Sequence, residues 1–448
     1  MAELTGPEVD HRAGRPGTEP GAAEQGVGAE HVAEPARERG VPADAAFVLR
    51  CPRCGRDGTG TSGCPHCRAE GVAVNLEPPL ADLTAHDLAA FPGGPWGWRE
   101  TVPIPGGAAV VTLGEGNTPN VWLPPRPDGR GVWLKNEAAN PTLTHKDRYM
   151  AAAMATARAQ GFETVIAASS GNAGASAAAY AARAGLRCVV VTKSSLPPAI
   201  HAQILAAGAV VVGFDDSVAR NNTMRQAVEQ LGWFPLTNFV EPGAGGHPYA
   251  IEGLKSIAYE LARDFGDELG AVVVPTSRAD LLSGVSRGFK EIVAAGLLRA
   301  CPRLIAAEPS VAPAFSTALA RPGLRDQETT QIPYVGSAAF SIGSDVANWQ
   351  GLQALRDSGG EAVAVDEATF LDEYRRCAAE DGIFIEASSA VAVSVARGVA
   401  GPGTVVALGT SSGLKDLDLA LRGAPDLPVI EENLDELQRV VADAAKRA

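Results

Sequence analysis

Three features are scarce in this 448-residue chain, and each scarcity excludes a class of protein. Positive charge is scarce, because the formal net charge is −14 at pH 7, and binding nucleic acid needs a basic surface. Long apolar runs are missing, since polar and charged residues interrupt even the stretch 165–191, and this argues against a membrane span. A basic N-terminal region followed by an apolar run is also missing. We therefore expect a cytoplasmic protein with neither a nucleic-acid nor a membrane partner.

Cysteine is the third scarce feature, and four of the seven cysteines are clustered, which fits a reducing cytoplasm better than a disulfide scaffold. The cluster consists of two Cys-x-x-Cys pairs separated by nine residues. Four thiolates at this spacing suit one tetrahedral zinc ion and leave no open coordination position for chemistry. We predict a structural zinc site on Cys51, Cys54, Cys64 and Cys67, with a metal-free module or a redox role as the alternative.

Composition also suggests how the chain is divided. Residues 1–46 contain no aromatic residue and bury too little apolar area to offset their ordering entropy, so we expect a disordered tail there. A zinc ribbon is expected at 47–72, followed by a linker rich in Pro, Gly and Trp at 73–109. The main folded core is expected at 110–430 and a C-terminal helix at 431–448.

The core alternates short apolar runs with helical patterns. We predict strands at the runs of β-branched and aliphatic residues, namely 132–134, 164–168, 188–192, 210–214, 271–275, 304–307 and 404–408. Helix lengths and glycine stops predict helices at 171–185, 197–208, 217–232, 247–265 and 281–296. This alternation is typical of an α/β protein with mainly parallel sheets, which binds ligands at the carboxyl ends of its strands.

Three polar segments stand out in this core. The first, 140–148, sets Lys146 directly before an alanine-rich helical run and reads Asn-Pro-Thr-Leu-Thr-His-Lys-Asp-Arg. The second, 169–174, is Ser-Ser-Gly-Asn-Ala-Gly, and the third, 409–416, is Gly-Thr-Ser-Ser-Gly-Leu-Lys-Asp. Together they resemble the cofactor-contacting segments of fold-type II (tryptophan synthase β-like) pyridoxal-phosphate enzymes, and of the threonine synthases in particular. Many threonine synthases also carry a similar N-terminal zinc ribbon.

The resemblance implies a two-domain α/β core, with a smaller subdomain at about 145–235 inserted in the larger one. It also implies that Lys146 is the catalytic residue, which forms a Schiff base with pyridoxal 5'-phosphate and then moves protons. A lysine that burial makes neutral can do this chemistry.

The other two segments receive roles from the same resemblance. Asn172 would hydrogen-bond the 3-hydroxyl of the cofactor. Thr410 would meet the pyridine nitrogen, where a hydroxyl favours elimination and replacement over transamination. Ser411 is the alternative for this role, because the motif can be aligned one residue later. The substrate carboxylate would bind at the helix N-terminus formed by Ser169, Ser170 and Gly171.

The sequence departs from the family where relatives hold the cofactor phosphate in a glycine-rich loop. Residues 275–280 read Pro-Thr-Ser-Arg-Ala-Asp instead. We expect backbone amides from Ser277 onward and the Arg278 guanidinium to contact the phosphate, with Asp280 turned away as the helix N-cap. His145 would add a contact, by likeness to tryptophan synthase β subunits; a packed histidine without this contact is the alternative.

Three further residues are candidates for substrate contacts. Thr118 lies in a segment that resembles the substrate-facing entry motif of the family. Arg148 and Lys255 are candidates to recognise a phosphate group on the substrate.

The function implied is that of a pyridoxal-phosphate dependent carbon–oxygen lyase or synthase in amino-acid biosynthesis. A threonine synthase would convert O-phosphohomoserine and water to threonine and phosphate. One alternative is β-replacement on phosphoserine or an activated serine, as in cysteate or cysteine synthases, in a specialised biosynthetic pathway. A second alternative is a zinc-ribbon scaffold without catalysis. The expected partner is a small amino acid with a phosphate or another leaving group, and the resemblance implies a homo-oligomer.

Overall fold

The structure is a computed structural model that describes residues 48–445 except 59, 105–108, 334, 423 and 425. The tail expected at 1–46 lies outside the described residues. The strands of the described part are β1 (Leu49–Arg50), β2 (Asp57–Gly58), β3 (Asn120–Leu123), β4 (Val132–Asn136), β5 (Thr164–Ala168), β6 (Arg187–Lys193), β7 (Val210–Phe214), β8 (Phe234–Pro235), β9 (Leu269–Pro275), β10 (Arg303–Pro309), β11 (Glu361–Val365) and β12 (Thr404–Gly409).

The helices of the same residues are α1 (Pro65–Ala69), α2 (Lys146–Ala159), α3 (Asn172–Ala184), α4 (Pro198–Ala206), α5 (Ser217–Leu231), α6 (Pro248–Ile251), α7 (Lys255–Phe265), α8 (Asp280–Ala294), α9 (Ala314–Leu319), α10 (Leu324–Glu328), α11 (Trp349–Asp357), α12 (Glu367–Ala379), α13 (Ala387–Gly398), α14 (Leu417–Leu421) and α15 (Leu434–Ala445). Among these described helices, none is both long and apolar enough to cross a membrane. The helix expected at 431–448 corresponds to α15.

Two sheets organise the core. The larger has the order β11-β10-β9-β12-β4-β3, in which β3 is antiparallel to β4 and the other neighbours are parallel. The smaller has the order β7-β6-β5-β8 and is parallel throughout. Strands β1 and β2 form a separate antiparallel pair in the cysteine module. These sheets confirm the predicted α/β class and every one of the seven predicted strands.

The central strands β9, β10 and β12 of the larger sheet are buried on both faces. On β9, Val272 and Val274 join one apolar core, whereas Ala271 and Val273 join the other. Successive side chains of a strand point to opposite faces, so a strand covered on both sides needs the continuous apolar run that the sequence shows.

The strands of the smaller sheet come between β4 and β9 along the chain, within the stretch expected to form the inserted subdomain. Here Val165 and Ala167 face one core and Ile166 faces another. The boundaries of this subdomain stay a prediction, but the arrangement brings the carboxyl ends of β5, β9 and β12 to one cavity.

Candidate active site

A cavity of about 310 Å³ lies beyond the carboxyl ends of these three strands. Its wall contains the last residues of β5 and β9, the residue after β12, and the start of α2. The cavity brings together most of the site residues predicted from the sequence, namely His145, Lys146, Ser169, Ser170, Gly171, Asn172, Ser277, Arg278 and Thr410. The predicted cofactor and substrate residues that do not line it are Thr118, Arg148, Lys255 and Ser411.

Lys146 is the first residue of α2 and lines this cavity. Within the described residues its Nζ makes no hydrogen bond and no ion pair, and it lies 5.9 Å from the ring centre of Tyr149. Removal from water lowers the pKa of Lys146, and the negative charges of Asp280 and Glu386 oppose that fall. A lysine amine with a lowered pKa and no protein partner is suited to attack an aldehyde and to carry protons.

The loop between β5 and α3 is built to receive an anion. The Ser169 hydroxyl accepts hydrogen bonds from the backbone N–H groups of Gly171 (3.2 Å) and Gly174 (3.0 Å), which fixes the turn. The N–H groups of Ser170, Asn172 and Ala173 keep no acceptor within the described part of the chain. Because α3 runs for 13 residues from this point, its dipole adds a positive potential at the cavity.

A buried carboxylate, that of Glu386, joins two of the predicted cofactor residues. It accepts hydrogen bonds from Asn172 Nδ2 at 2.9 Å and from Thr410 Oγ1 at 3.2 Å. Ser341 Oγ also donates to it, at 3.1 Å. Burial raises the pKa of Glu386, and these three hydrogen bonds oppose the rise. Asn172 and Thr410 are therefore held in fixed orientations at the cavity wall.

Thr410 and Ser411 have different places in the structure. Thr410 lines the cavity, whereas the Ser411 hydroxyl lies within 2.9 Å of the carbonyl oxygen of Leu143 and 3.0 Å of Asn172 Oδ1. This geometry favours Thr410 over Ser411 for a cofactor contact.

His145 is anchored to Thr410 rather than left free. Its backbone N–H donates to the carbonyl oxygen of Thr410 at 3.0 Å, and its ring Nδ1 lies 3.1 Å from the same oxygen. Burial, followed by the charge of Lys146, holds the pKa of His145 well below its ordinary value. The ring is therefore neutral, and a phosphate contact for it stays a prediction.

The loop after β9 corrects one expectation. Asp280 is not the N-cap of α8 but its first residue, and Ala279 takes the N-cap position with a left-handed φ of 57°. The Asp280 carboxylate accepts a hydrogen bond from the N–H of Gly246 at 2.9 Å and lines the cavity. Ser277 Oγ donates to the carbonyl oxygen of Gly343 at 2.9 Å. In contrast, Arg278 lines the cavity, and its Nη1 is buried without a hydrogen-bond partner among the described residues.

Thr118 and Arg148 belong to a buried polar network and not to the cavity. Arg148 is fully buried and pairs with Glu137 (2.7 Å) and Glu260 (2.6 Å), and its Nη2 donates to Thr118 Oγ1 at 3.1 Å. Buried charges require such pairing, and these contacts fix the first turn of α2, which carries Lys146. Arg148 is therefore a structural residue, and a substrate contact of Thr118 stays a prediction without support from its position.

Lys255 is likewise committed to structure. Its Nζ is fully buried and pairs with Glu252 at 2.7 Å and Glu291 at 2.8 Å. This ammonium is not free to recognise a substrate phosphate.

Sequence reasoning missed several residues of the cavity wall. They are Tyr149, Arg220, Asn221, Asn238, Glu241, Phe340 and Ser341. Tyr149 directly follows the first motif segment, and the others lie far from all three segments. No local sequence pattern therefore marked these residues. The packing of α5, of the segment that follows β8 and of the segment around 340 brings the other six to the cavity.

The four cysteines form a compact cluster. Their Sγ atoms all lie within 4.8 Å of one another, with Cys51 and Cys67 at 3.7 Å and Cys54 and Cys64 at 3.7 Å. Zinc–sulfur bonds of about 2.3 Å in a tetrahedron put the sulfur atoms roughly 3.8 Å apart. The cluster therefore fits the predicted zinc ion in ligand type, number and spacing.

Comparison with known proteins adds to this geometry. Residues 111–411 match the model of a protein family described as pyridoxal-phosphate dependent enzyme. Threonine synthase of Mycobacterium leprae is 31% identical over 75% of this chain and 92% of that enzyme. Threonine synthase of Methanocaldococcus jannaschii is 28% identical over 89% of this chain and 100% of that enzyme.

The similar solved structures include enzymes whose names indicate reactions other than threonine synthesis. The crystal structure of O-ureido-L-serine synthase has a TM-score of 0.56 and 26% identity, covering 69% of this chain and 94% of that one. An O-acetyl serine sulfhydrylase isoform from Entamoeba histolytica has a TM-score of 0.57 at 21% identity, covering 71% of this chain and 91% of that one. At this identity the second likeness shows the fold alone.

Proposed function

The chain belongs to the family of pyridoxal-phosphate dependent enzymes and is a lyase of that family, and we propose that it converts O-phosphohomoserine and water to threonine and phosphate. One structural observation supports this reaction most directly. Lys146, whose Nζ has no hydrogen-bond or ion-pair partner among the described residues, lines the same cavity as the loop at 169–172 and Thr410. The likeness to threonine synthases along three quarters of the chain favours this substrate over the others.

The residues of the cavity fit the cofactor that the family implies. Lys146 would hold its aldehyde carbon, Asn172 and Thr410 would face its ring, and the loop at 275–280 would face its phosphate. When bound, pyridoxal phosphate supplies an electron-withdrawing ring that stabilises negative charge at the substrate Cα.

The side chains of the site provide the remaining steps. The free N–H groups of the loop at 169–172 would bind the substrate carboxylate and orient the Cα–H bond toward Lys146. Lys146 Nζ, whose pKa is lowered by burial, would take the proton from Cα and return it later in the reaction. Because the phosphate is bonded through oxygen to Cγ, Lys146 Nζ would also take a proton from Cβ, and the electron pair left there would expel phosphate from Cγ. A proton would then be added at Cγ, the hydroxyl of water would bond to Cβ, and the proton returned to Cα would complete threonine.

The test is product formation by the purified protein loaded with pyridoxal phosphate. O-phosphohomoserine should yield equal amounts of threonine and phosphate, and a Lys146→Ala variant, as the matched control, should yield neither. Absence of both products with the unaltered protein would refute the proposed substrate.

The likeness to O-ureido-L-serine synthase supports a second candidate, β-replacement on an activated serine. This candidate predicts that O-acetylserine or phosphoserine is consumed together with an added nucleophile, while O-phosphohomoserine is left unchanged. The two substrate series therefore separate the two reactions.

We also propose that the four-cysteine cluster holds one structural zinc ion. Its sulfur spacing supports this, and the module contains its own small core, in which Leu49, Val72, Val74 and Leu76 pack around the cysteines. Metal analysis of the purified protein should find about one zinc per chain, and a metal content near zero in freshly purified protein would refute the proposal.

A further inference from the structure

Two guanidinium groups from different parts of the fold meet in the cavity wall. Arg220 comes from the first turn of α5, beside the smaller sheet, and Arg278 comes from the loop after β9 of the larger sheet. The amides of Asn221 and Asn238 line the same part of the cavity.

Among the described residues, the Arg278 guanidinium has no carboxylate within hydrogen-bond distance, although the residue lines the cavity. Its Nη1 is enclosed by protein and has no hydrogen-bond acceptor. Its Nη2 lies 3.6 Å from Asp345 and 3.9 Å from Glu241, distances too long for hydrogen bonds, and both carboxylates are largely exposed. The guanidinium also lies against the backbone, because a Cβ at Gly243 would come within 1.5 Å of Nη1. Within the described residues, the guanidinium charge is therefore compensated only by two distant and solvent-screened carboxylates.

Arg220 has no carboxylate partner within the described residues. Its Nε and Nη2 donate to the neutral amide oxygen of Asn221, at 3.3 Å and 3.2 Å. Burial lowers the pKa of Arg220, and the nearby charge of Arg278 lowers it further. Two cations that repel one another at a cavity are stabilised more by a dianion placed between them than by a singly charged anion.

We propose that Arg220 and Arg278 together form a binding site for a phosphate monoester dianion, and that the leaving group of the substrate occupies it. This assigns the Arg278 guanidinium to the substrate and leaves the cofactor phosphate to the backbone N–H groups of the loop at 275–280. The assignment to the substrate rests on the proposed function. Arginine suits this role because its planar fork binds two phosphate oxygens at once. Arg220 and the loop at 169–172, which we propose binds the substrate carboxylate, line the same cavity, so one substrate can contact both.

The experiment compares three variants, Arg220→Gln, Arg278→Gln and Arg225→Gln. Arg225 is the matched control, because it lies on the same helix, is exposed and contacts only the amide of Asn222 at 3.2 Å. Each variant is loaded with excess pyridoxal phosphate, and calorimetry then measures the affinity for inorganic phosphate. We expect both cavity variants to bind phosphate about tenfold or more weakly, since each loses a charge-assisted contact, and the control to bind it as the unaltered protein does.

A second measurement distinguishes the substrate phosphate from that of the cofactor. If the substrate occupies the site, Arg220→Gln raises KM for O-phosphohomoserine about tenfold, while the dissociation constant of pyridoxal phosphate changes little. A weakened cofactor with an unchanged KM would overturn the assignment to the substrate. Arg220→Lys keeps the charge without the fork and should restore part of the affinity.

The outcomes also separate this proposal from the proposed reaction. Phosphate binding that depends on the two arginines, without turnover of O-phosphohomoserine, would refute the proposed reaction and support the proposed phosphate site. Equal phosphate affinity in all four proteins would overturn the site, whatever the turnover.

Discussion

Asn75 connects the cysteine module to the wall of the active-site cavity, and replacing it with alanine should disturb both. Its Nδ2 donates to the carbonyl oxygen of Gly246 at 2.8 Å, and Gly246 in turn donates its N–H to Asp280 at 2.9 Å. The backbone of Asn75 is held by Gln350, which accepts at 3.1 Å and donates at 2.8 Å. Asn75→Ala therefore keeps the backbone contacts and removes two side-chain hydrogen bonds, the one to Gly246 and the one that Asn75 Oδ1 accepts from the N–H of Leu76 at 3.0 Å.

The size of the destabilisation expected for Asn75→Ala follows from the burial of Asn75 and Gly246. Asn75 is 2% exposed and Gly246 is buried, so the variant leaves a buried carbonyl oxygen without its donor. Such a loss costs about 1–3 kcal/mol in the free energy of unfolding. Gly246 also lines the cavity, so a loosened wall should weaken binding of pyridoxal phosphate, by about tenfold for each 1.4 kcal/mol that binding must restore.

Two assays test this prediction. Urea unfolding followed by tryptophan fluorescence measures stability, and Trp349, which packs against the cysteine module, is a local reporter. Cofactor titration measures the dissociation constant. Asn222→Ala is the matched control, because Asn222 is exposed on α5, and we expect it to change stability by no more than about 0.5 kcal/mol. If Asn75→Ala matched this control in both assays, the module would not support the cavity wall.

Four further predictions concern single residues. Lys146→Ala should abolish the visible absorbance band of the bound cofactor while leaving the melting temperature of the cofactor-free protein near its usual value. Cys64→Ser should reduce zinc from about one ion per chain to near zero by metal analysis. Gly253→Ala should destabilise the protein by about 3 kcal/mol or more in urea, because the new Cβ would lie 2.1 Å from the carbonyl oxygen of Arg148. Burial lowers the pKa of Lys415 to about 8 from the ordinary 10.5, so the unfolded chain binds more protons between these values and stability should rise with pH across that range. Lys415→Met should remove that rise, about 3 kcal/mol in size, when unfolding free energies at pH 8 and pH 10.5 are compared.

Three of these predictions would each be contradicted by one specific result. A cofactor band in Lys146→Ala would move the attachment to another amine. Full zinc in Cys64→Ser would mean that the cluster is not the metal site. Equal pH slopes for the unaltered protein and Lys415→Met would show that this ammonium does not lose its proton more readily in the fold.

The sequence predicted the strands better than it predicted the wall of the site. Seven strands could be located because each reads as an apolar run rich in β-branched and aliphatic residues, and in β9, β10 and β12 this run reflects burial on both faces. β11, by contrast, was not predicted, because its pattern Glu-Ala-Val-Ala-Val is half exposed at the edge of the sheet.

Motifs predicted those site residues whose role is tied to a local segment. Lys146, Asn172 and Thr410 come from three separate segments, and the structure places all three at one cavity. Arg220 could not be predicted, because it lies in a helix that has no motif, and only the packing of α5 places it opposite Arg278.

The loop after β9 lacks the glycines that the family resemblance implies, and its structure shows how the chain forms this turn without them. Ala279 has a φ of 57°, a left-handed conformation that costs an alanine about 1 kcal/mol and a glycine little. The backbone thus keeps a turn that glycine would form easily, while the neighbouring positions now add the side chains of Arg278 and Asp280 to the cavity. The loop therefore brings two charged side chains to the cavity while Ala279 forms the left-handed turn. A difference in reaction from the similar threonine synthases should consequently appear first in which anionic group is bound, which is the quantity that the Arg220 and Arg278 variants measure.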